Sequence, residues 1–147
     1  LDTKDNKIPF GNLKARMRMN VLYDYAWNNR CLVAGTSNKT EKMLGYYTKW
    51  GDGAWDFGAI VELYKTEVYE LAKVLNLPES VISKPASARL WSGQTTEGEL
   101  GMTFEDIDGY LSGKKHLDAI NEKRLDDMIL RNMHKLDQPV IYPDRRG

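Results

Sequence analysis

The stretch "CLVAGTSNKTE", residues 31 to 41, decides the fold class of this chain. Its first five residues are apolar and too few for a helix, as is typical of a buried parallel strand. Polar residues suited to a helix N-cap (Thr36, Ser37 and Asn38) follow at once, and Glu41 lies three residues after Asn38, the spacing of a capping box. The stretch therefore predicts a strand that leads directly into a helix, which favours an α/β fold.

A helix is predicted before this junction, from Gly11 to about Asn28. Its apolar stripe repeats every four residues and consists of Leu13, Met17, Val21 and Tyr25. Lys14 and Arg18 share another face of the same helix. The pattern is that of an amphipathic helix, whose apolar side normally packs on a protein core.

More amphipathic helices are predicted after the junction. Their apolar faces are Val68, Leu71, Ala72 and Leu75; Phe104, Ile107 and Leu111, in a helix that starts at Thr103; and Leu125, Met128 and Ile129. Residues 83 to 101, "SKPASARLWSGQTTEGELG", predict a long loop, and residues 137 to 147 predict an irregular tail. Since one convincing strand is too few for a sheet, the chain is expected to be incomplete.

Composition excludes several classes of partner. Lys plus Arg and Asp plus Glu both total 21, so there is no overall field to hold nucleic acid or an anionic membrane. No apolar stretch approaches the roughly 20 residues of a membrane span. Cys31 is the single cysteine and cannot form an intramolecular disulfide, which is consistent with a reducing compartment. The sequence thus predicts a cytoplasmic domain without membrane or nucleic-acid partners.

The segment "GYYTKWGDGAWD", residues 45 to 56, combines glycines, aromatic residues and charges. Two interpretations stay open. Gly51, Gly53 and the nearby Gly58 allow a ligand to approach the backbone closely, and Trp50 or Trp55 can pack against a ring. The same residues also suit an aromatic loop that fills the core between glycine turns.

Five motifs, taken in this order and spacing, resemble NAD synthetase, either the ammonia-dependent type or the synthetase domain of the glutamine-dependent type. They are "GNLKARMRM" (11–19), "GTSNKTE" (35–41), "GYYTKWGDGAWD" (45–56), "LYKTEVYELAK" (63–73) and "KPASARLWSGQTTEGELG" (84–101). The family also has an N-terminal strand and an "SGGxDS" pyrophosphate-binding loop, a sequence that these 147 residues do not contain. The resemblance implies a Rossmann-like parallel sheet of the ATP-pyrophosphatase (adenine nucleotide alpha hydrolase-like) type. Residues 1 to 147 would be the C-terminal part of a single synthetase domain whose N-terminal part is missing.

The resemblance also implies an activity. NAD synthetases use ATP and magnesium to adenylate the nicotinate carboxylate of deamido-NAD and release pyrophosphate. Ammonia, free or derived from glutamine, then displaces AMP from the acyl adenylate and yields NAD. Without the pyrophosphate loop, these 147 residues alone are not expected to complete the reaction.

By the same resemblance, Thr36, Lys65 and Ser87 contact ATP, and Glu41 is the magnesium ligand. Local sequence leaves plainer interpretations open for three of them: Thr36 as an N-cap, Glu41 as the acid of a capping box, and Ser87 as an ordinary loop serine. A cation in the first helical turn opposes the usual preference for acids there, which favours a functional role for Lys65.

The deamido-NAD contacts implied by the resemblance are Arg16, Lys49, Asp56, His134 and Lys135. Solvated surface charge is the alternative for the arginine and for the pair at the end of the last helix. No catalytic residue is assigned.

The "TTEGELG" portion, residues 95 to 101, resembles the flexible loop that closes over the site in the family, so Glu97 and Glu99 are weaker candidates. Family members are homodimers in which the substrate lies near the subunit interface, and a homodimer is therefore expected. A different class stays open: a non-catalytic fragment or degenerate paralogue that serves as a nucleotide-binding or dimerisation module.

Overall fold

The computed structural model describes residues 7 to 137, and the expected tail lies almost wholly outside that range. In chain order the elements are α1 (Lys7–Asn29), β1 (Ala34–Gly35), α2 (Lys39–Leu44), β2 (Phe57–Gly58), α3 (Lys65–Val74), α4 (Glu79–Ile82), α5 (Thr96–Leu100), α6 (Phe104–Leu111), α7 (Ala119–Asn132) and a 3₁₀ turn at Met133–Lys135. The two strands pair in parallel. The described residues therefore combine helices with a small parallel sheet, in line with the α/β prediction.

The strand-to-helix junction is confirmed, but the predicted strand is shorter than expected. Only Ala34 and Gly35 form β1, and they pair with Phe57 and Gly58 of β2, which the sequence did not predict because it is two residues long. Leu32 is 71% exposed, so the apolar run is not buried throughout. The prediction of a fully buried strand was wrong in the described residues, since a two-stranded sheet covers little of the run.

Local chemistry sets the start of α2 as predicted. The Asn38 side chain accepts a hydrogen bond from the Glu41 amide at 2.9 Å, and the Glu41 carboxylate accepts one from the Asn38 amide at 3.1 Å. This reciprocal pair is a capping box, which satisfies two helix-terminal amides at once. The N-cap is therefore Asn38 and not Thr36, which lies exposed between β1 and α2.

The core lies among α2, α5, α6 and α7. Its buried members are Leu44, Leu100, Met102, Phe104, Ile107 and Leu125. The predicted apolar faces of the last two helices are confirmed, since Leu111, Met128 and Ile129 pack against this cluster. Thr103 caps α6 by accepting from the Asp106 amide at 3.2 Å, as the sequence predicted.

The first helix packs with a different side from the one expected. The apolar stripe is exposed, with Met17 at 60% and Val21 at 69%, whereas Gly11, Ala15 and Ala26 are buried. Small residues allow the neighbouring loop to approach the helix closely, and the polar face contributes the contacts. Lys14 donates to the Leu90 carbonyl at 2.6 Å, and Arg18 donates to the Ala88 carbonyl at 3.2 Å. The helix was predicted correctly and its packing face was not.

Two further expectations change. The apolar face predicted for α3 is only partly buried: Val68 and Ala72 are half-buried, whereas Leu71 and Leu75 are 37% and 61% exposed. The predicted loop from 83 to 101 includes α5, a short helix with Thr96 and Leu100 buried. Thr95 caps that helix at the Gly98 amide, and the αL residue Gly101 ends it. Residues 96 to 100 therefore form a short helix packed on the core, and closure of this segment over the site stays a prediction. Over residues 7 to 137, every helix is too short or too polar to cross a bilayer.

Candidate functional site

A cleft of about 1480 Å³ opens where β1, the starts of α2 and α3, and residues 84 to 91 meet. The cleft lies at the carboxyl end of β1, the position where parallel α/β sheets bind ligands. Five of the nine predicted site residues line it: Thr36, Glu41, Lys65, Ser87 and Lys135.

Charged side chains of both signs line this cleft, and most of them are cations. The acids are Glu41, Asp52 and Glu99, and the cations are Lys7, Arg18, Lys65, Lys84, Arg89, Arg131 and Lys135. Lys65 lowers the pKa of Glu41 through its charge, while Asp52 raises it. Asp52 was not among the predicted residues, although it lies within the glycine-rich motif. A mixed set of acids and cations suits a site for phosphates and their counter-ion.

The carboxylate of Glu41 is placed both to cap α2 and to face a ligand in the cleft. One oxygen completes the capping box with Asn38, which confirms the plainer interpretation of this residue. The side chain nevertheless lines the cleft, and burial raises its pKa above the ordinary value; the Asn38 amide and Lys65 oppose that rise. A desolvated carboxylate gains most from a nearby cation. Capping and metal binding are therefore compatible at Glu41.

The ammonium of Lys65 is placed by aromatic rings. It lies 5.0 Å from the ring centre of Tyr69 and 5.7 Å from that of Phe104. Lys65 is the first residue of α3, and its amide donates to the Thr40 hydroxyl at 2.9 Å. The cation therefore faces the cleft from the start of a helix whose backbone is held by α2.

The two predicted hydroxyl residues face the cleft from different segments. Thr36 follows β1 and is exposed. Ser87 belongs to the segment that α1 holds, and its hydroxyl accepts from the Arg89 amide at 3.1 Å. The interpretation of Ser87 as a turn-forming serine is thus supported locally, and its position on the cleft is a separate fact.

Three of the predicted deamido-NAD residues form a group outside the cleft lining, which we call the outer triad: Arg16, Lys49 and His134. The guanidinium of Arg16 donates to the Lys49 carbonyl at 3.2 Å. The ammonium of Lys49 donates to the His134 carbonyl. The structure therefore brings the three together, but it engages two of the cations with backbone oxygens of the protein.

Asp56 and Lys135 also have protein partners. Asp56 accepts from the Val33 amide at 2.7 Å and from the Tyr23 hydroxyl at 3.5 Å, which ties the segment before β2 to β1. Lys135 donates to the carbonyls of Gly45 and Tyr47 at 2.6 and 2.8 Å, and burial lowers its pKa. Both residues help to hold the fold around the site.

The aromatic segment from 45 to 56 fills space between protein side chains and also lines part of the cleft. A Cβ on Gly53 would lie 2.4 Å from the Tyr47 ring, and one on Gly35 would lie 2.5 Å from the Trp55 ring. These glycines therefore make room for protein side chains, so the idea that Gly53 admits a ligand was wrong. The segment still contributes to the cleft through Tyr46, Tyr47, Thr48, Gly51, Asp52 and Ala54.

Sequence reasoning missed a buried polar network beneath the site. Thr40 is fully buried and Asp108 is 4% exposed. Asp108 follows Phe104 by four residues, so it lies on the apolar face of α6, and an acid on that face was the available signal. A second network joins Tyr46, Gln94 and Glu99. The Tyr46 hydroxyl and the Gln94 amide each donate to the Glu99 carboxylate. Burial, together with that carboxylate, raises the pKa of Tyr46.

Comparison with known proteins gives the family. A family model described as NAD synthase matches residues 1 to 139. This chain belongs to the NAD synthase family. It is 55% identical over 138 residues to the NH(3)-dependent NAD(+) synthetase of Carboxydothermus hydrogenoformans, covering 94% of the chain and 55% of the relative. It is 46% identical over 145 residues to that of Syntrophomonas wolfei, covering 96% and 57%.

Solved structures of the NAD synthase family agree on the fold. An NMN synthetase from Francisella tularensis superposes with a TM-score of 0.84 at 42% identity, over 91% of this chain and 56% of the other. The NH3-dependent NAD synthetase from Campylobacter jejuni, in complex with a nitrate ion, gives 0.70 at 35% identity, over 90% and 55%. The Rossmann-like fold of the ATP-pyrophosphatase type is thereby confirmed. The chain spans about half the length of the curated relatives that it matches.

Proposed function

We propose that the full-length protein is an NAD synthetase that amidates deamido-NAD with ATP and ammonia. One observation carries this proposal: Thr36, Glu41, Lys65 and Ser87 line one cleft, although the first and the last are 51 residues apart in the sequence. The resemblance to the family assigned the same four residues to ATP and its metal. Residues 1 to 147 are proposed as the C-terminal part of its single synthetase domain. The family match favours this enzyme over a non-catalytic module.

The proposed reaction has two steps. The nicotinate carboxylate attacks the α-phosphorus of ATP and expels pyrophosphate, and ammonia then attacks the acyl carbon and expels AMP. In the first step negative charge develops on the pyrophosphate, which the Lys65 ammonium is placed to stabilise and the hydroxyls of Thr36 and Ser87 to orient. Lys135, which also lines the cleft, would add positive charge.

Magnesium fits Glu41 as one ligand of several. Across residues 7 to 137, acids, histidines and cysteines do not gather in threes as a complete protein-made metal site would need. Magnesium usually binds through one or two carboxylates, waters and substrate phosphates, so a single desolvated carboxylate beside a phosphate site is sufficient. When bound, the ion would neutralise phosphate charge.

The cytoplasm remains the expected compartment on sequence grounds.

A homodimer is proposed through the exposed stripe of α1. Leu13, Met17 and Val21 are 45%, 60% and 69% exposed and lie one turn apart on one face. Two copies of such a stripe can cover each other across a two-fold axis. Met17→Lys in the full-length protein should shift the mass measured by light scattering toward a monomer, with Asn29→Lys, on another side of α1, as the control. An unchanged dimer in Met17→Lys would contradict this surface.

The size of the nucleotide substrate is a second question. The solved structure with TM-score 0.84 is an NMN synthetase, which raises the mononucleotide as an alternative substrate class. The relatives at 46% and 55% identity are NAD(+) synthetases, which favours the dinucleotide. Offering both acids to the same enzyme separates the two: we expect amidation of deamido-NAD at the higher kcat/KM.

The test of the proposed function is product analysis. Full-length protein with ATP, magnesium, deamido-NAD and ammonium should form NAD, AMP and pyrophosphate in equal amounts. Replacing ammonium by glutamine decides the nitrogen source. Formation of ADP, or no amide under any of these conditions, would contradict the proposal. The 147-residue chain, assayed in parallel, is expected to give no NAD.

A further inference from the structure

The start of α3 is held by side chains from two other helices. The Lys65 amide donates to the Thr40 hydroxyl at 2.9 Å, and the Thr66 amide donates to the Asp108 carboxylate at 2.8 Å. Thr40 in turn donates its hydroxyl hydrogen to the other oxygen of Asp108. Helix-terminal amides need such acceptors because no residue of the helix itself can supply them. Here α2 and α6 supply them, across 25 and 42 residues of sequence.

This network is buried and fully bonded. Thr40 is 0% exposed and Asp108 is 4% exposed. Burying a carboxylate is costly unless it is hydrogen-bonded, and Asp108 meets that condition with one hydroxyl and one amide. Because both partners are fixed by packing, the first residue of α3 has little freedom to move relative to α2.

The same network connects Glu41 and Lys65, two of the charged residues that line the cleft. Thr40 directly precedes Glu41 in α2, and Lys65 is the residue whose amide Thr40 holds. Asp108 shares α6 with Phe104, whose ring lies against the Lys65 ammonium. The backbone of Lys65 is thus fixed through Thr40, and its side chain is guided by a ring on the helix that carries Asp108.

We propose that Asp108 and Thr40 are positioning residues that hold Lys65 at its place in the cleft and so set the affinity for ATP. This rests on the proposed function, in which Lys65 contacts ATP. A purely structural network would affect stability and leave substrate affinities unchanged in the folded enzyme. A positioning network changes the affinity for ATP and leaves that for deamido-NAD alone.

The experiment uses the full-length enzyme and conservative variants. Thr40→Val keeps the shape and removes the hydroxyl, whereas Thr40→Ser restores it. Asp106→Asn is the matched control: this acid also lies on α6 and bonds to Thr103 and Lys115, but it does not line the cleft. Initial rates give KM for each substrate, and hydrogen exchange of the peptide beginning at Lys65 reports the helix start directly.

We expect Thr40→Val to raise KM for ATP about tenfold, since misplacement of a binding group by a fraction of an ångström has effects of this order. KM for deamido-NAD should stay within about twofold of wild type. Thr40→Ser should return both KM for ATP and the exchange rate to wild type. Asp106→Asn should change neither.

Two results would overturn the proposal. The first is a folded Thr40→Val enzyme with wild-type KM for ATP; the second is an equal rise in KM for both substrates that serine does not rescue. Lys65→Met separates this from the proposed function. If the wild-type enzyme is active and Lys65→Met has the same KM for ATP as wild type, the positioning role is contradicted and the enzyme assignment is not affected. A wild type without amidation sinks both.

Discussion

The cleft and the outer triad were both assigned from motif register, and the structure gives their cations different surroundings. In the cleft, the ammonium of Lys65 lies against two aromatic rings. In the outer triad, Arg16 and Lys49 donate to backbone carbonyls of the protein. A donor already bonded to the protein must give up that bond to bind a ligand, which applies to Arg16, to Lys49 and, within the cleft, to Lys135. Lys65, whose ammonium lies against aromatic rings, is therefore the stronger candidate for a substrate contact.

The largest expected effect concerns Glu41. Glutamine keeps the hydrogen bonds of the capping box and cannot supply the negative charge that magnesium prefers. Glu41→Gln in the full-length enzyme should therefore be at least as stable to heat as wild type and lose about 100-fold in kcat/KM, with partial recovery at high magnesium. Titrating magnesium against initial rate is the measurement. A wild-type rate and metal dependence in Glu41→Gln would reduce the residue to a helix cap.

Asp56 sharpens the comparison because it belongs to neither group. Asp56→Ala leaves the amide of Val33, a buried residue, without its carboxylate acceptor and should cost about 1 to 2 kcal/mol of unfolding free energy. Asp56→Asn keeps one acceptor oxygen and should recover most of that stability. If Asp56 also holds deamido-NAD, both variants should weaken the binding of deamido-NAD more than the binding of ATP. Equal effects on the two substrates in Asp56→Asn would remove the binding role.

A smaller effect follows from the raised pKa of Glu41. A carboxyl group with a raised folded-state pKa favours folding below its ordinary pKa, and that contribution is lost as pH rises through the raised value. Glutamine does not titrate. In buffer with chelator, the melting temperature of Glu41→Gln relative to wild type should therefore rise as the pH increases from below the ordinary pKa of glutamate through the raised value. A constant difference across that range would show that burial does not govern this group.

The smallest effect is expected at Arg16. Its side chain is exposed and makes one hydrogen bond to the protein at 3.2 Å. Arg16→Ala should change the unfolding free energy by less than about 0.5 kcal/mol. A clear rise in KM for deamido-NAD with unchanged stability would place the outer triad in the substrate site after all. Lys42→Ala, which breaks the exposed ion pair with Glu62, is the matched surface control.

The sequence predicted what short-range chemistry determines. The capping box of Asn38 and Glu41 and the cap at Thr103 involve neighbours in the chain, and both are confirmed. The buried network of Asp108 was not predicted because its partner Thr40 is 68 residues away in the sequence. The apolar stripe of α1 predicted a helix and could not say which side packs, since small residues and polar contacts decide that instead.

The central claim is that the cleft holds ATP through Lys65 while the outer triad does not. The most direct measurement is KM for ATP and for deamido-NAD in full-length Lys65→Met and Lys49→Met. We expect Lys65→Met to raise KM for ATP by about tenfold or more and Lys49→Met to leave it within about twofold. Equal rises in KM for ATP in the two variants, or a rise confined to Lys49→Met, would contradict the account.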